Sequence, residues 1–227
     1  MKDQKVFFDE LITEEWDTYV SDAWNYSRRF EVDRLFRKIQ PATILDVGCG
    51  CGFHDQVMAE YDFVEKVDAI DYSEKSIRTA EMAYPHPKVR RIAATFEEFE
   101  TEHKYDLVVS FQLLEHLCNP EEYLYFCARN CAPYVAISTP NRLCLRNRIR
   151  LIAGKRPQLE DVMHYREYSV AQIQEMGRQH GLDHFYWFGY GLSAVKGLSP
   201  RANTCIGYSF PHLADRIVVV FKKKTIR

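Results

Sequence analysis

The stretch ILDVGCGCGFHD, from Ile44 to Asp55, begins as an apolar, β-prone run and then breaks into glycine at every second position, Gly48, Gly50 and Gly52. Glycine inside ordered backbone costs roughly 0.5–1 kcal/mol against alanine. Glycines at this spacing, directly after a strand, imply that something approaches the main chain closely. A strand that ends in glycines and runs into a helix places backbone N–H groups and a helix N-terminus beneath a ligand. A tight turn without a ligand is the competing reading of the same residues. The dinucleotide pattern G-x-G-x-x-G is broken, because Phe53 stands where its third glycine belongs.

The elements around the glycine turn set its context. TILDVG (43–48), KVDAID (66–71), KVRRIA (88–93), YDLVVSF (105–111) and YVAIST (134–139) are β-branched, apolar and of strand length. Between them lie segments with helical spacing, SEKSIRTAEMAY (73–84) and NPEEYLYFCARNCA (119–132). In the second, Asn119 is expected to cap, Pro120 to take the first helical position, and Glu121 and Glu122 to favour the positive end of the dipole. Such alternation implies right-handed βαβ units and a parallel sheet covered by helices. Two further strand-like runs, HFYWFGYG (184–191) and DRIVVVFKKK (215–224), are expected to be joined by a long loop. Residues 7–39 read as two helices rich in aromatics, among them Trp16, Tyr19, Trp24 and Tyr26.

The chain has 227 residues, 46% hydrophobic and 27% charged, with a formal net charge of −2. That is a soluble globular composition without the basic field of a nucleic-acid binder, so no nucleic-acid partner is expected. No apolar run approaches the roughly 20 residues of a membrane span, and the charged start does not read as a signal peptide. The 7 cysteines are scattered within apolar runs, with Cys127 and Cys131 placed on one helix. This usage points to a reduced, cytoplasmic protein.

Asp71 closes the second strand about twenty residues beyond the last glycine, where an acid can accept both hydroxyls of a ribose. Tyr72 follows with a flat face suited to adenine, while Ser73 reads as the cap of the next helix. Together, ILDVGCGCG, VDAIDYS and YDLVVSFQLLEHLCNPEEYL resemble the class I S-adenosylmethionine-dependent methyltransferases, in particular the branch with the ubiquinone-biosynthesis O-methyltransferases. The resemblance runs from about Ile44 to Leu182 through ISTPNR and HYREYSVAQIQEMGRQHGL. It implies an α/β, Rossmann-like, seven-stranded, mostly parallel sheet with helices on both faces and the last strand antiparallel. The aromatic N-terminal helices have no place in such a sheet, so the expected division is an N-terminal helical lid (1–40) and a cofactor-binding domain (41–227) with a cap segment (141–166).

By position, the resemblance gives the methionine end of S-adenosylmethionine to Asp46 and to the backbone of Gly48, Cys49, Gly50 and Gly52. Asp71 takes the ribose and Tyr72 the adenine. Relatives commonly have an acid for the adenine amine where this chain has Ala94, so Thr95 and Phe96 are the substitutes. Ser110 and Phe111 would face the methionine and the methyl group, and Arg28 the cofactor carboxylate. A sulfonium methyl is already electrophilic. The protein has to align the nucleophile and, for a hydroxyl acceptor, remove its proton. Histidine suits that task, which singles out His116 beside Glu115, and His164. Some quinone-branch relatives hold a metal on two glutamates and a histidine in the segment matching QLLEH. Gln112 replaces the first of those glutamates, so no metal is expected.

NRLCLRNRIRLIAGKRPQ (141–158) carries Arg142, Arg146 and Arg150 at four-residue spacing, with Leu145, Ile149 and Ile152 on another face. A solvated helix, a lid over an anionic acceptor and peripheral membrane contact all fit this pattern. The expected partner is a small-molecule acceptor, lipid-like or anionic. A cofactor-binding protein without catalysis and an RNA-modifying methyltransferase remain alternatives.

Overall fold

Strand order around the glycine turn determines what the turn can hold. The computed structural model describes Glu10 and residues 22–195 and 197–224, with the backbone alone for residues 22–24. Trp16, Tyr19 and the side chain of Trp24 therefore lie outside the described residues. One 7-stranded sheet runs in the order β3-β2-β1-β4-β5-β7-β6. The contacts divide the chain into two units, 1–111 and 112–227.

In the first unit, α1 (Asp22–Phe36) precedes β1 (Thr43–Val47), α2 (Phe53–Ala59), β2 (Lys66–Asp71), α3 (Glu74–Ala83), β3 (Val89–Ala93) and β4 (Tyr105–Phe111). β1 pairs in parallel with β2 (Asp46 opposite Ala69) and with β4 (Asp46 opposite Val109), and β2 pairs in parallel with β3. Ile44, Leu45, Val67, Ile70, Leu107 and Val108 fill its core, as their near-continuous apolar runs require of strands covered on both faces. Asp68, buried on β2, is held by Arg90 at 2.9 Å and by the Tyr105 hydroxyl at 2.6 Å. Ser73 caps α3 as expected, accepting from the Ser76 N–H at 3.0 Å.

In the second unit, a 3₁₀ turn (Leu114–His116) leads to α4 (Pro120–Asn130), β5 (Cys131–Pro140), α5 (Leu145–Ile152), α6 (Val170–Gln179), β6 (Leu182–Tyr190), α7 (Pro200–Ser209) and β7 (Arg216–Lys223). β7 is antiparallel to both β5 and β6, so the last strand inserts between them as the resemblance implied.

Three expectations need correction. Asn119 occupies the N-cap of α4 but its side chain makes no cap bond there, leaving Pro120 as the start signal. Cys131 opens β5 instead of continuing the helix, and all seven cysteines are free. The connection between the last two strands holds α7, whose Gly207 is buried against the backbone of Gly191.

Candidate active site

The glycine turn is held open by its backbone. Gly48, Gly50 and Gly52 have φ of 75°, 53° and 84°, a region that residues with a Cβ adopt only at a cost. The N–H groups of Gly48 and Cys49 donate to the Ile70 carbonyl at 2.8 and 3.0 Å, strapping the turn to the end of β2. The Gly50 N–H donates to Asp71 Oδ2 at 3.0 Å, and the Ser73 N–H to Oδ1 at 2.9 Å. The carboxylate is thereby fixed beside the turn. Gly52 has a packing reason as well, because a Cβ there would stand 2.6 Å from that of Ala80 on α3.

Asp46 is fully buried on β1, and neither carboxylate oxygen has a hydrogen-bond partner among the described residues. Burial pushes this carboxyl well above the usual range, and Asp55, Asp71 and Glu31 push the same way. A buried acid in this state is costly unless a cation or a donor reaches it. The ammonium and sulfonium of a methionine end are groups of that kind. The Cys49 thiol beside it is likewise pushed up by burial.

Arg28 is buried on α1 with its guanidinium 5.6 Å from the centre of the Phe53 ring. At the end of β4, Ser110 is buried with its hydroxyl lacking a partner among the described residues. Phe111 stacks on His54, ring centres 3.9 Å apart and planes within 4°. His54 Nε2 lies 2.9 Å from Glu31 Oε1; burial lowers the imidazole pKa against the pull of that carboxylate. Tyr72 is half-buried just past β2. After β3, the Ala94 N–H donates to the Asp71 carbonyl at 2.9 Å, which seats this segment beside Asp71. Thr95 donates its N–H to Glu98 Oε2 at 3.2 Å, so a carboxylate lies close by although position 94 lacks one. Phe96 is buried.

In the second unit, Glu115, His116 and His164 converge, with one donor atom of each within 4.8 Å of the others. Glu115 Oε2 accepts from Thr139 Oγ1 at 2.9 Å, and Oε1 has no partner among the described residues. Burial pushes its carboxyl up to about 7. The His116 and His164 rings meet edge to face, 4.8 Å between centres. Burial takes His116 down to about 4, and the neighbouring His164 adds to that. Burial also acts to lower His164, but its hydrogen bond to Glu167 and the charge of Glu115 outweigh it, and the net shift is upward. The Tyr165 N–H donates to the Glu115 carbonyl at 2.9 Å, tying the 161–167 segment to the 3₁₀ turn.

Reading the sequence did not find Glu31, His54 or Glu167. For Glu167 a signal exists, since HYRE places an acid three residues after His164. His54 sits beside the glycine turn, but its partner Glu31 comes from a helix distant in sequence.

A strand–glycine turn–helix with an acid closing the next strand, in a sheet of this order, defines a nucleoside-binding methyltransferase fold. The chain belongs to the methyltransferase-domain family, which matches residues 25–184. A relative in Mycolicibacterium smegmatis, named as a probable S-adenosylmethionine-dependent methyltransferase, is 29% identical over 154 residues, 66% of this chain and 56% of its own length. A ubiquinone biosynthesis O-methyltransferase of Caulobacter sp. is 35% identical over 121 residues, 50% of this chain and 47% of its own. The chain thus spans about half the length of the curated relatives it matches. Among solved structures, magnesium protoporphyrin IX methyltransferase of Synechocystis with bound S-adenosylhomocysteine shares the fold at a TM-score of 0.67 and 14% identity. That match covers 98% of this chain and 100% of the other. Among the described residues no helix is long and apolar enough to cross a membrane.

Proposed function

We propose that this chain transfers the methyl group of S-adenosylmethionine to oxygen or nitrogen of a small acceptor that is flat or lipid-like in part. The observation that carries this reading is Asp46, a buried carboxylate without a hydrogen-bond partner among the described residues, beside a turn whose N–H groups and Asp71 suit the rest of the cofactor. The residues present therefore fit the group. Asp46 would hold the charged methionine end, with Arg28 at its carboxylate and Ser110 and Phe111 alongside. Asp71 would take the ribose, Tyr72 the adenine face, and Thr95 and Phe96 the adenine edge. The bound cofactor supplies an electrophilic methyl group. The chain orients it and excludes water, and well-aligned reactants gain up to roughly 7–11 kcal/mol.

Glu115, His116 and His164 follow β4 and β5 at their carboxyl ends, where α/β sheets place ligands. They supply the groups that take up an acceptor's proton. A ubiquinone biosynthesis O-methyltransferase among the curated relatives supports an acceptor with a ring system. A methyl-transfer assay over phenolic, quinol and amine acceptors, read by mass spectrometry, tests the reading. Binding of the cofactor with no transfer to any of them would favour a non-catalytic protein.

Asp71→Ala is expected to weaken S-adenosylhomocysteine binding by about one to two decades, since a hydrogen bond to a charged group is worth about 1.5–3 kcal/mol and water recovers part of it. Titration calorimetry on the folded variant measures this, and unchanged affinity would put the ribose elsewhere.

The reading extends to a membrane surface through α5 and the loop after it. Ile149, Leu151, Ile152 and Val162 are exposed, the last two at 88% and 87%. Arg146, Arg148, Arg150, Lys155 and Arg156 flank them, and the nearest downstream acid, Glu160, is engaged with Arg216. α5 itself buries only Asn147, whose amide holds the Arg142 and Gln158 carbonyls at 3.0 and 3.1 Å. Exposed apolar side chains within a cationic helix suit an anionic bilayer. Replacing Arg142, Arg146 and Arg150 with glutamine should abolish sedimentation with anionic liposomes or raise the acceptor's KM, with cofactor affinity unchanged. If neither moves, the stripe is a solvated face.

A further inference from the structure

We infer that Glu31 and His54 form a positioning pair for methyl transfer, holding the Phe111 ring beside the glycine turn as a wall for the cofactor's methionine end. The pair's part in the reaction rests on the methyltransferase reading; its geometry does not.

Three elements of the first unit meet at His54, the second residue of α2 and two positions past Gly52. Its Nε2 lies 2.9 Å from Glu31 Oε1 on α1, and its ring stacks on Phe111 at the end of β4. A carboxylate only accepts, so Nε2 carries the hydrogen. The bond to Glu31 sets the rotation of the imidazole, and the imidazole face sets the plane of the phenylalanine. The ring centres are 3.9 Å apart, closer than the roughly 4.5–7 Å usual for aromatic pairs. Phe111 therefore has little freedom to turn.

Phe111 stands where a ligand on the turn would meet it. Asp46 of β1 pairs with Val109 of β4. Phe111 is two residues past Val109, as Gly48 is two past Asp46, so it is level with the first glycine of the turn. Open α/β sheets bind ligands beyond the carboxyl ends of their strands. Glu31 reaches the same place, since its charge acts on the Asp46 carboxyl.

A second contact follows the same path. Arg28, one turn before Glu31 on α1, has its guanidinium 5.6 Å from the centre of the Phe53 ring. Thus α1 engages both residues that directly follow the glycine turn. Stability alone does not call for such a pair. The Glu31 and His54 side chains are 2% and 13% exposed, and apolar residues of similar volume often serve a core as well as a buried ion pair does. Perturbed ionisable groups cluster at functional sites. The charged groups acting on His54, Glu31 and Arg28, both come from α1; burial and Arg28 lower its pKa, and Glu31 opposes them. The net shift is downward, so the ring is uncharged at neutral pH and adds no positive charge where a sulfonium would lie.

The test is NMR of the full chain with histidine and phenylalanine rings labelled, titrated with S-adenosylhomocysteine and joined to methyl-transfer kinetics. The expected result is a His54 ring protonated at Nε2 alone at neutral pH, and Phe111 signals that move when the ligand binds. Glu31→Gln keeps an acceptor for the Nε2–H but removes the charge, so His54 should titrate at lower pH than in the parent. His54→Gln keeps a donor for Glu31 but loses the stack. It should shift the Phe111 signals and lower kcat about 10–100-fold, the order of loss that a small misplacement causes, with the KM for S-adenosylmethionine little changed. His54→Phe restores a flat ring over Phe111 and should recover part of kcat. Phe111 signals unmoved by bound S-adenosylhomocysteine, a His54 titration indifferent to Glu31→Gln, or parent kcat in a folded His54→Gln variant would each overturn the pair's role. The last would leave the methyltransferase reading standing. A chain whose Phe111 responds to the ligand through His54, yet which methylates no acceptor, would support the positioning and overturn that reading.

Discussion

His116→Ala should lower methyl transfer to a hydroxyl acceptor by roughly 10²–10⁴-fold, the usual contribution of a positioned proton-transfer group. Cofactor affinity should stay nearly intact, because the groups assigned to the cofactor are Asp46, the glycine turn and Asp71, and His116 is not among them. The imidazole is fixed on one side by the Met163 carbonyl and meets His164 on the other. On the proposed reading, its loss would remove a group that takes up the acceptor's proton. The deficit should shrink for an acceptor already deprotonated at the assay pH. Single-turnover rates with two phenols of different acidity would show this. Full activity with both would make His116 a packing residue.

Arg91→Ala should destabilise the fold by about 3–5 kcal/mol, the cost of breaking a buried ion pair by removing one partner. Arg91 and Asp55 are 3% and 0% exposed, joined by paired bonds of 2.9 and 3.0 Å, and Arg91 also holds the Tyr84 carbonyl at 2.8 Å. Burial already raises the Asp55 carboxyl, with Arg91 opposing it, so the variant's acid rises further. For an acid whose folded pKa lies above its unfolded value, the folded state keeps a proton that the unfolded state has lost. Stability then falls as pH rises through that interval. The gap between Arg91→Ala and the parent should therefore narrow as pH is lowered toward the ordinary aspartate range. Denaturant midpoints at two pH values measure it. A double variant, Asp55→Asn with Arg91→Met, should recover part of the loss, and a parent-like midpoint in Arg91→Ala alone would show that the pair contributes little.

The strands of the first unit were legible because their signal is local. Apolar β-branched runs place β1, β2 and β4 within a residue of their observed ends. The insertion of the last strand was legible only through resemblance, since nothing in DRIVVVFKKK itself says which strands it separates. Features made by distant partners were not legible. Arg91 and Asp55 are 36 residues apart, and neither segment marks the other. The same holds for Glu31 and His54, and for the meeting of His164 with Glu115. The helix α7 was hidden because its segment carries serine, glycine and asparagine, which locally suit a loop; packing of Gly207 against Gly191 supplies what propensity lacks. Asn119 shows the converse, a residue of the right type at the cap that does not make the bond.

Titration calorimetry of the purified chain with S-adenosylmethionine, S-adenosylhomocysteine and NAD tests the central claim most directly. The glycine turn, Asp46 and Asp71 predict a single site for the first two ligands and no binding of NAD, because Phe53 stands where a dinucleotide turn needs glycine. NAD binding at comparable strength, or no binding of either methionine derivative by the folded chain, would contradict it.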